Sequence, residues 1–168
     1  MRIYLVRHAE AVERVGTMPD GVRHLTARGR VSFRETAGRA RKDGVRPSHI
    51  FTSPLVRAVQ TAEILAEGLR FEGEVLVAPR LYPGFDVEGL NAILDDFPDA
   101  IDPAFVGHEP DLGRTIARLL SLPKGCALRK GAVAALDFPE SGGRRLRAVF
   151  AWLREGERRI DDAKRLGG

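Results

Sequence analysis

The apolar residues of this chain fall into short continuous runs that alternate with longer stretches in which apolar positions recur every three or four residues. A short run such as Ile3–Val6 is typical of a strand buried on both faces, and the longer stretches are typical of helices with one buried side. The short runs predict strands at about Arg2–Val6, His49–Ser53, Glu74–Ala78 and Ala104–Gly107. The periodic stretches predict helices at about Thr26–Lys42, Pro54–Leu69, Val87–Asp96 and Pro110–Leu120.

Local signals refine the first two predicted helices. Thr26 is a typical N-cap residue for the first of them. Gly29 lies inside that helix, where glycine costs roughly 1 kcal/mol relative to alanine, so we expect something to approach its backbone closely. Ser53 and Pro54 predict an N-cap followed by proline at the first position of the second helix. Arg57 lies outside the apolar face of that helix. This face comprises Leu55, Ala58, Val59, Ala62, Leu65, Ala66 and Leu69.

The alternation of strands and helices predicts the α/β class, with a three-layer, mainly parallel central sheet that has helices on both faces. Near the end of the chain, "GAVAALDF" and "RRLRAVFAWL" flank the turn residues "PESGG", so they predict an antiparallel hairpin that completes the sheet. The chain after Leu153 is strongly charged and predicts a solvated helix or a frayed end. We therefore expect a single domain over residues 1–168 with a charged tail from about residue 154.

Length and cysteine content narrow the class of protein. A chain of 168 residues can bury a hydrophobic core large enough to be stable without a disulfide bond. The single cysteine, Cys126, excludes an internal disulfide framework and a site with several thiolate ligands, as is usual in a reducing cytoplasm. No apolar stretch reaches the roughly 20 residues of a membrane span, and no signal peptide precedes the first strand. We expect a cytoplasmic protein that does not bind membranes.

The chain carries a net charge of +4, with a pI near 9.7, which suits either nucleic acid or a small anionic substrate. The basic residues are mostly arginines spread along the chain among acidic residues, apart from short groups such as Arg144, Arg145 and Arg147. Phe and Tyr fall mainly at apolar positions of predicted elements rather than on a base-stacking surface. The composition therefore favours a partner other than nucleic acid.

Side chains that can carry positive charge follow three of the predicted strands. Arg7 and His8 follow the first strand, Arg57 lies one turn beyond the second, and His108 follows the fourth. Each residue alone could belong to a solvated loop or helix surface. Ligands of such sheets collect at the carboxyl ends of the strands, however, and two guanidiniums with two imidazoles match the oxygens of one phosphoryl group. The helix that starts near Ser53 adds a favourable dipole for an anion.

These residues belong to motifs that resemble the histidine phosphatase superfamily and, within it, the small bacterial SixA-type phosphohistidine phosphatases. The matching stretches are "LVRHAEA" at 5–11, "LTARG" at 25–29, "TSPLVRAVQTAEI" at 52–64, "VGHEPDLG" at 106–113 and "KGAVAALDF" at 130–138. The resemblance implies a phosphoglycerate mutase-like fold and a phosphatase that needs no cofactor and no metal.

The resemblance also assigns roles to residues of this chain. It implies that His8 is a nucleophile that becomes phosphorylated and is then released by water. It implies that Arg7, Arg57 and His108 clamp the phosphoryl oxygens, with Ser53 also in the binding set. These roles agree with the chemistry, because a neutral imidazole nitrogen already attacks phosphorus near neutral pH and cationic groups offset the charge spread over the oxygens.

The chain departs from the family pattern at the position of the general acid. Mutases and sugar phosphatases of the superfamily usually carry a glutamate after the third strand and an asparagine after the first. Here the corresponding loop reads "LYPGFDVEGL", and the first loop has no asparagine. The candidate proton donors are Glu10, Glu13, Asp20 and Asp86, and none of them is assigned.

Three functions stay open at this point. The interval between the second and fourth strands is too short for an inserted lid, so we expect an open pocket that suits phosphohistidine on another protein. A phosphomonoesterase for a small phosphorylated substrate is the first alternative, with one of the four acidic residues as proton donor. A phosphoanion-binding module without catalysis is the second alternative, and the pairing of His8 with His108 argues against it.

Overall fold

The computed structural model describes residues 1–139 and 147–166, which form a seven-stranded sheet with four α-helices. The strands are β1 (Arg2–Arg7), β2 (Ile50–Thr52), β3 (Val75–Val77), β4 (Ala104–Gly107), β5 (Val133–Asp137), β6 (Val149–Glu155) and β7 (Arg158–Ile160). The helices are α1 (Ala27–Lys42), α2 (Val56–Leu69), α3 (Val87–Asp96) and α4 (Asp111–Leu120). Short 3-10 helices lie at Asp20–Val22, Pro79–Leu81 and Ala163–Arg165.

The strands lie in the order β3-β2-β4-β1-β5-β6-β7. The first four of this order pair in parallel, whereas β5, β6 and β7 join by antiparallel pairing. Because β6 runs antiparallel to β5, it has the same direction as β1, and only β5 and β7 of the seven run the other way. The predicted mainly parallel sheet and the predicted antiparallel pair near the C-terminus are confirmed. Most of the predicted turn at 139–143 lies outside the described residues.

Alternate residues of β1 supply two separate cores, one on each face of the sheet. Ile3 and Leu5 pack with apolar residues of α3 and α4, whereas Tyr4 and Val6 pack with those of α1 and α2. This is the period-two alternation expected of a strand that is covered on both sides. The three-layer arrangement predicted from the alternating pattern is therefore confirmed.

The local signals for α1 are also confirmed. The Thr26 hydroxyl accepts a hydrogen bond of 2.9 Å from the Gly29 amide, so Thr26 is the N-cap. A Cβ at Gly29 would overlap the backbone oxygen of Glu10. The glycine thus lets α1 pack directly against the loop that follows β1, and this loop carries His8.

Two expectations are wrong. First, α2 begins at Val56 with Leu55 as its N-cap residue, and the Ser53 hydroxyl lies instead 2.7 Å from Nε2 of His108. Second, the described chain after Leu153 is not a solvated helix or frayed end from residue 154 onward, because it completes β6, forms β7 and only then enters the short 3-10 helix at Ala163–Arg165. The charged composition of this segment did not indicate a strand. The segment nevertheless packs on the sheet, because Ile160 is buried and the charge of Arg154 is paired with Asp43.

None of the helices in the described part of the chain combines the length and the apolar character that crossing a bilayer requires.

Candidate active site

The residues that follow β1, β2 and β4 lie side by side at one edge of the sheet. These strands are neighbours in the order β2-β4-β1 and run in parallel, so their carboxyl ends meet there. Arg7 pairs in register with Gly107, which places His8 and His108 directly after two adjacent strand ends. Ser53 follows β2 at the same edge, and the first turn of α2 brings Arg57 into the cluster.

The structure brings both imidazoles and Arg57 into contact. The ring centroids of His8 and His108 are 5.2 Å apart, and Nε of Arg57 lies 3.3 Å from Nε2 of His8. The three residues are only 8%, 5% and 6% exposed, in the order His8, His108, Arg57. Arginine and two histidines are therefore packed together in a site that excludes most solvent.

The hydrogen bonds of His8 define its tautomer. A guanidinium N–H can only donate, so Nε2 of His8 accepts from Arg57 and carries no proton. Nδ1 then carries the proton and donates to the carbonyl oxygen of Ala9 over 2.8 Å. This arrangement leaves His8 as a neutral ring whose Nε2 lone pair faces the cluster.

His108 is oriented by Ser53. The Ser53 hydroxyl oxygen accepts a hydrogen bond of 3.4 Å from the Leu55 amide and lies 2.7 Å from Nε2 of His108. Because a hydroxyl can donate one hydrogen bond and accept two, this contact holds the His108 ring in place in either tautomer. Nδ1 is buried and has no hydrogen-bond partner among the described residues.

Burial keeps both rings neutral. Burial, together with the charges of Arg57 and Arg7, lowers the pKa of His8 from 6.5 to about 4, against the raising effect of its hydrogen bond to Ala9. Burial, together with His8 and Arg57, likewise lowers the pKa of His108 to about 3. At neutral pH the positive charge of the cluster therefore comes from its arginines.

Within the described residues, one hydrogen bond holds the side chain of Arg7. Its Nη1 donates to the carbonyl oxygen of Leu128 over 2.6 Å, and its buried Nε has no partner among the described residues. Its charge contributes to the lowered pKa of both histidines, which places it within electrostatic reach of both rings. Arg7 thus brings a largely unused set of donors to the cluster.

Asp20 is the one of the four acidic candidates that contacts the cluster. Its backbone oxygen accepts from Nη1 of Arg57, and its carboxylate Oδ2 accepts from Nη2, each over 2.9 Å. The other carboxylate oxygen accepts from Nη1 of Arg23 over 2.9 Å. The bond from Arg23 and then that from Arg57 lower the pKa of Asp20, so its carboxyl is ionised at neutral pH.

The other three candidates are engaged elsewhere or exposed. The Glu10 carboxylate binds Arg28 and the Thr26 hydroxyl, which lower its pKa. Asp86 caps α3, and Glu13 is exposed. No hydrogen bond or ion pair joins these three carboxylates to the cluster within the described ranges.

Sequence reasoning missed several groups that hold the cluster in place. The Glu109 carboxylate accepts hydrogen bonds from the Gly113 and Leu128 amides, and burial raises its pKa. Thr61 donates to the backbone oxygen of Arg57 over 2.6 Å and accepts from the Ala9 amide over 3.0 Å. The position of Glu109 next to His108 and that of Thr61 one turn after Arg57 were available signals. The Leu128 carbonyl has no signature in the sequence.

In the part of the chain that the structure describes, no three His, Cys, Asp or Glu side chains form a group that could hold a metal ion. The arrangement instead offers a neutral imidazole lone pair beside arginine donors, which is a combination suited to attack on a bound phosphoryl group.

Comparison with known proteins agrees with this chemistry. The chain is 38% identical over 120 residues to an uncharacterized protein from Picosynechococcus sp., covering 67% of this chain and 69% of that protein. It is 27% identical over 154 residues to phosphohistidine phosphatase SixA from Escherichia coli (strain K12), covering 90% and 92%.

A solved structure extends the likeness to the fold. The protein histidine phosphatase SixA, complexed with tungstate, superposes with a TM-score of 0.78 at 26% identity, covering 91% of this chain and 96% of that one. The phosphoglycerate mutase-like fold expected from the motifs is thereby confirmed. Residues 3–103 also match the family model of the histidine phosphatase superfamily (branch 1). This chain belongs to the histidine phosphatase superfamily.

Proposed function

We propose that this phosphatase removes the phosphoryl group from phosphohistidine on a protein, through a phosphohistidine intermediate at His8. The observation that carries the proposal is the neutral His8 ring, whose Nε2 lone pair lies 3.3 Å from Nε of a buried arginine. His8 is thus a nucleophile beside the cation Arg57, whose donors are not all paired with carboxylates. This combination suits the transfer of an anionic group.

The proposed reaction has two transfers at phosphorus. In the first, Nε2 of His8 attacks, the phosphorus–nitrogen bond of the substrate breaks, and the substrate imidazole leaves in its protonated, neutral form. In the second, water attacks the phosphoryl group on His8, releasing inorganic phosphate and the free ring. Arg7, Arg57 and Nδ1 of His108 donate to the phosphoryl oxygens, and Ser53 orients His108. These donors offset the charge that spreads over the oxygens in each transition state.

The state of the nearby acids supports a phosphorus–nitrogen substrate. Expelling an alkoxide requires a proton at the leaving oxygen, and a positioned general acid contributes about 10²- to 10⁴-fold. Asp20 is ionised by its two arginine partners, and Glu10, Glu13 and Asp86 do not contact the cluster. The ring nitrogens of phosphohistidine are more basic than the ester oxygen of an alkyl phosphate. The imidazole therefore leaves already protonated and needs less help from a general acid of the enzyme.

Changing the nucleophile tests the proposal directly. We expect His8→Ala to lower kcat by at least about 10⁴-fold, as removal of a nucleophile does elsewhere. Wild-type enzyme quenched in alkali should carry an acid-labile phosphoryl label that is absent from His8→Ala. His49→Ala is the matched control, because His49 precedes β2 at the opposite end of that strand and should keep both label and turnover. Full activity of His8→Ala would refute the nucleophile.

A substrate panel tests the bond preference. We expect kcat/KM to be highest for a phosphohistidine protein, then for phosphoramidate and an activated aryl phosphate, and lowest for a sugar phosphate. A sugar phosphate hydrolysed as fast as the phosphohistidine protein would favour the small-molecule phosphomonoesterase. Binding of phosphate without any label or turnover would favour the non-catalytic module. A cytoplasmic location, in keeping with the single cysteine, stays a prediction.

A further inference from the structure

We propose that Asp20 is a positioning residue that aims Arg57 at the nucleophile and, through its charge, weakens the binding of the phosphate product. The inference rests on the proposed function, because it assumes that His8 and Arg57 act on one phosphoryl group. It assigns Asp20 a role other than the proton donor for which the sequence made it a candidate.

The contacts of Arg57 show how the guanidinium is aimed. Both contacts with Asp20 use the Nη1 and Nη2 end of the group, through the backbone oxygen and Oδ2. The Nε edge is turned toward Nε2 of His8. Since a guanidinium is planar with its donors in a fixed fork, fixing one end fixes the direction of the other. Asp20 therefore determines where the Nε edge of Arg57 points.

Asp20 is itself rigidly supported. Nη1 of Arg23 binds Oδ1 of Asp20 over 2.9 Å, while Nε of Arg23 binds the backbone oxygen of Val12 over 2.8 Å. Arg57 is also fixed from its own backbone, through Thr61. The loop after β1 thus carries both the nucleophile at its start and the support of Arg57 further along.

The charge of Asp20 has a second consequence. Both histidines are neutral at neutral pH, so the phosphoryl site owes its charge to Arg7 and Arg57. The Asp20 carboxylate offsets part of the charge of Arg57, and it also raises the pKa of His108, so its field reaches the interior of the cluster. An anion next to the site repels inorganic phosphate, which must leave at the end of every turnover.

Two substitutions separate the two effects. Asp20→Ala removes the side-chain acceptor and the charge, whereas Asp20→Asn removes the charge but keeps an oxygen that can accept from Arg57. We expect Asp20→Ala to lower kcat/KM by about 10- to 10²-fold, because a small misplacement of a clamping group is costly. We expect Asp20→Asn to recover most of that loss. Asp20→Asn should also bind inorganic phosphate several-fold more tightly, measured as its competitive inhibition constant, whereas in Asp20→Ala the misplacement of Arg57 opposes that gain.

The control is Asp137→Asn. Asp137 forms a similar paired contact with Arg2 at the start of β1, away from the cluster. We expect this variant to keep both the wild-type kcat/KM and the wild-type phosphate inhibition constant. Circular dichroism verifies that each variant is folded, and if Asp20→Ala does not fold, the tighter phosphate binding of Asp20→Asn alone tests the charge effect.

The leaving group distinguishes positioning from proton donation. A positioning residue acts on the phosphoryl oxygens through Arg57, whichever group leaves. Asp20→Ala should therefore slow hydrolysis of an activated aryl phosphate and of phosphoramidate by similar factors. A loss confined to alkyl phosphates, with the aryl phosphate spared, would make Asp20 a general acid and overturn the inference. An unchanged kcat/KM and phosphate inhibition constant in both variants would also overturn it. The proposed function stands in that case if the wild-type label at His8 persists, and it fails separately if the label is absent.

A double substitution provides an independent readout. If Asp20 acts through Arg57, adding Asp20→Ala to the Arg57→Lys variant should lower kcat/KM by a much smaller factor than Asp20→Ala does in the wild type. The effects of substitutions at coupled residues are not additive. Fully additive losses would show that Asp20 acts by another route and would overturn the positioning role.

Discussion

Two buried arginines of this protein, Arg57 and Arg154, differ in how their donors are used. Arg154, on β6, is 9% exposed and gives Nε and Nη2 to the Asp43 carboxylate and Nη1 to the backbone oxygen of Glu157. Arg57 is 6% exposed and gives two donors to Asp20, but its third contact is with a nitrogen of His8. Burial alone does not distinguish a structural arginine from one that can bind a ligand.

The surroundings of the two arginines sharpen the difference. Asp43 also binds Arg159, which in turn binds Asp161 and lies 5.2 Å from the centre of the Trp152 ring, so two carboxylates offset the two guanidiniums of that cluster. In the phosphoryl site, Arg57 and Arg7 face two neutral rings, and Nε of Arg7 has no partner within the described ranges. Buried donors without acceptors are costly, and a bound anion would satisfy them.

The same substitution at the two arginines tests this comparison and should have the largest effect. Arg57→Lys should lower kcat/KM by about 10²- to 10³-fold, because an ammonium cannot reproduce a planar fork aimed at the phosphoryl oxygens. Arg154→Lys should leave kcat/KM within twofold of the wild type. It should lower the free energy of unfolding by about 2 kcal/mol, which corresponds to roughly 4–8 °C in Tm.

Steady-state kinetics and thermal unfolding of both variants supply these numbers. An Arg57→Lys variant with wild-type turnover would mean that the guanidinium of Arg57 has no role in the reaction. Loss of activity without loss of stability in Arg154→Lys would mean that the two arginines do not differ in the way proposed.

The neutral rings of the site should be visible in a titration. We expect midpoints near pH 4 for His8 and near pH 3 for His108 by NMR of the ring nuclei, against an ordinary value of 6.5. His8→Asn and His108→Asn assign the signals. Because the folded pKa lies below the unfolded one, the unfolded state binds protons first, and these histidines lower stability as the pH falls from about 6.5 toward 4 for His8 and toward 3 for His108. Midpoints at or above 6.5 would contradict burial as the reason for a neutral nucleophile.

Glu109 should show the smallest of the three effects. Glu109→Ala removes the acceptor that holds Leu128, whose carbonyl oxygen is the one hydrogen-bond acceptor of the Arg7 side chain in the described residues. We expect kcat/KM to fall by about 10-fold through misplacement of Arg7. Glu109→Gln keeps an oxygen acceptor and should retain most of the activity. Equal losses in both variants would indicate that the charge of Glu109, rather than its hydrogen bonds, is what matters.

The amino-acid sequence determined the parallel part of the sheet and the order of its elements. Continuous apolar runs marked β1, β2 and β4, and the helical period marked α3 with the bounds that the structure shows. Both patterns are local, because a strand buried on two faces and a helix buried on one have different spacings of apolar residues. The placement of Arg7, His8 and His108 after strand ends followed from the same local reading.

Where local and tertiary interactions compete, the sequence was misleading. Ser53 is a residue type typical of N-caps, yet its hydroxyl contacts His108, which lies 55 residues away in the chain. The segment Arg158–Ile160 has the composition of a solvated tail, yet it pairs with β6. In both cases the deciding partner is distant in sequence, so no local propensity could reveal it.

The chemistry of the site was decided by tertiary structure alone. Sequence could suggest that His8 and Arg57 are neighbours, but the neutral state of His8 depends on burial, and the direction of Arg57 depends on Asp20, which lies 37 residues earlier in the chain. The Leu128 carbonyl that holds Arg7 belongs to a residue 121 positions away. The sequence specifies the type of each side chain. Its protonation state and the number of its hydrogen-bond donors that are left without a partner depend on which distant groups surround it after folding.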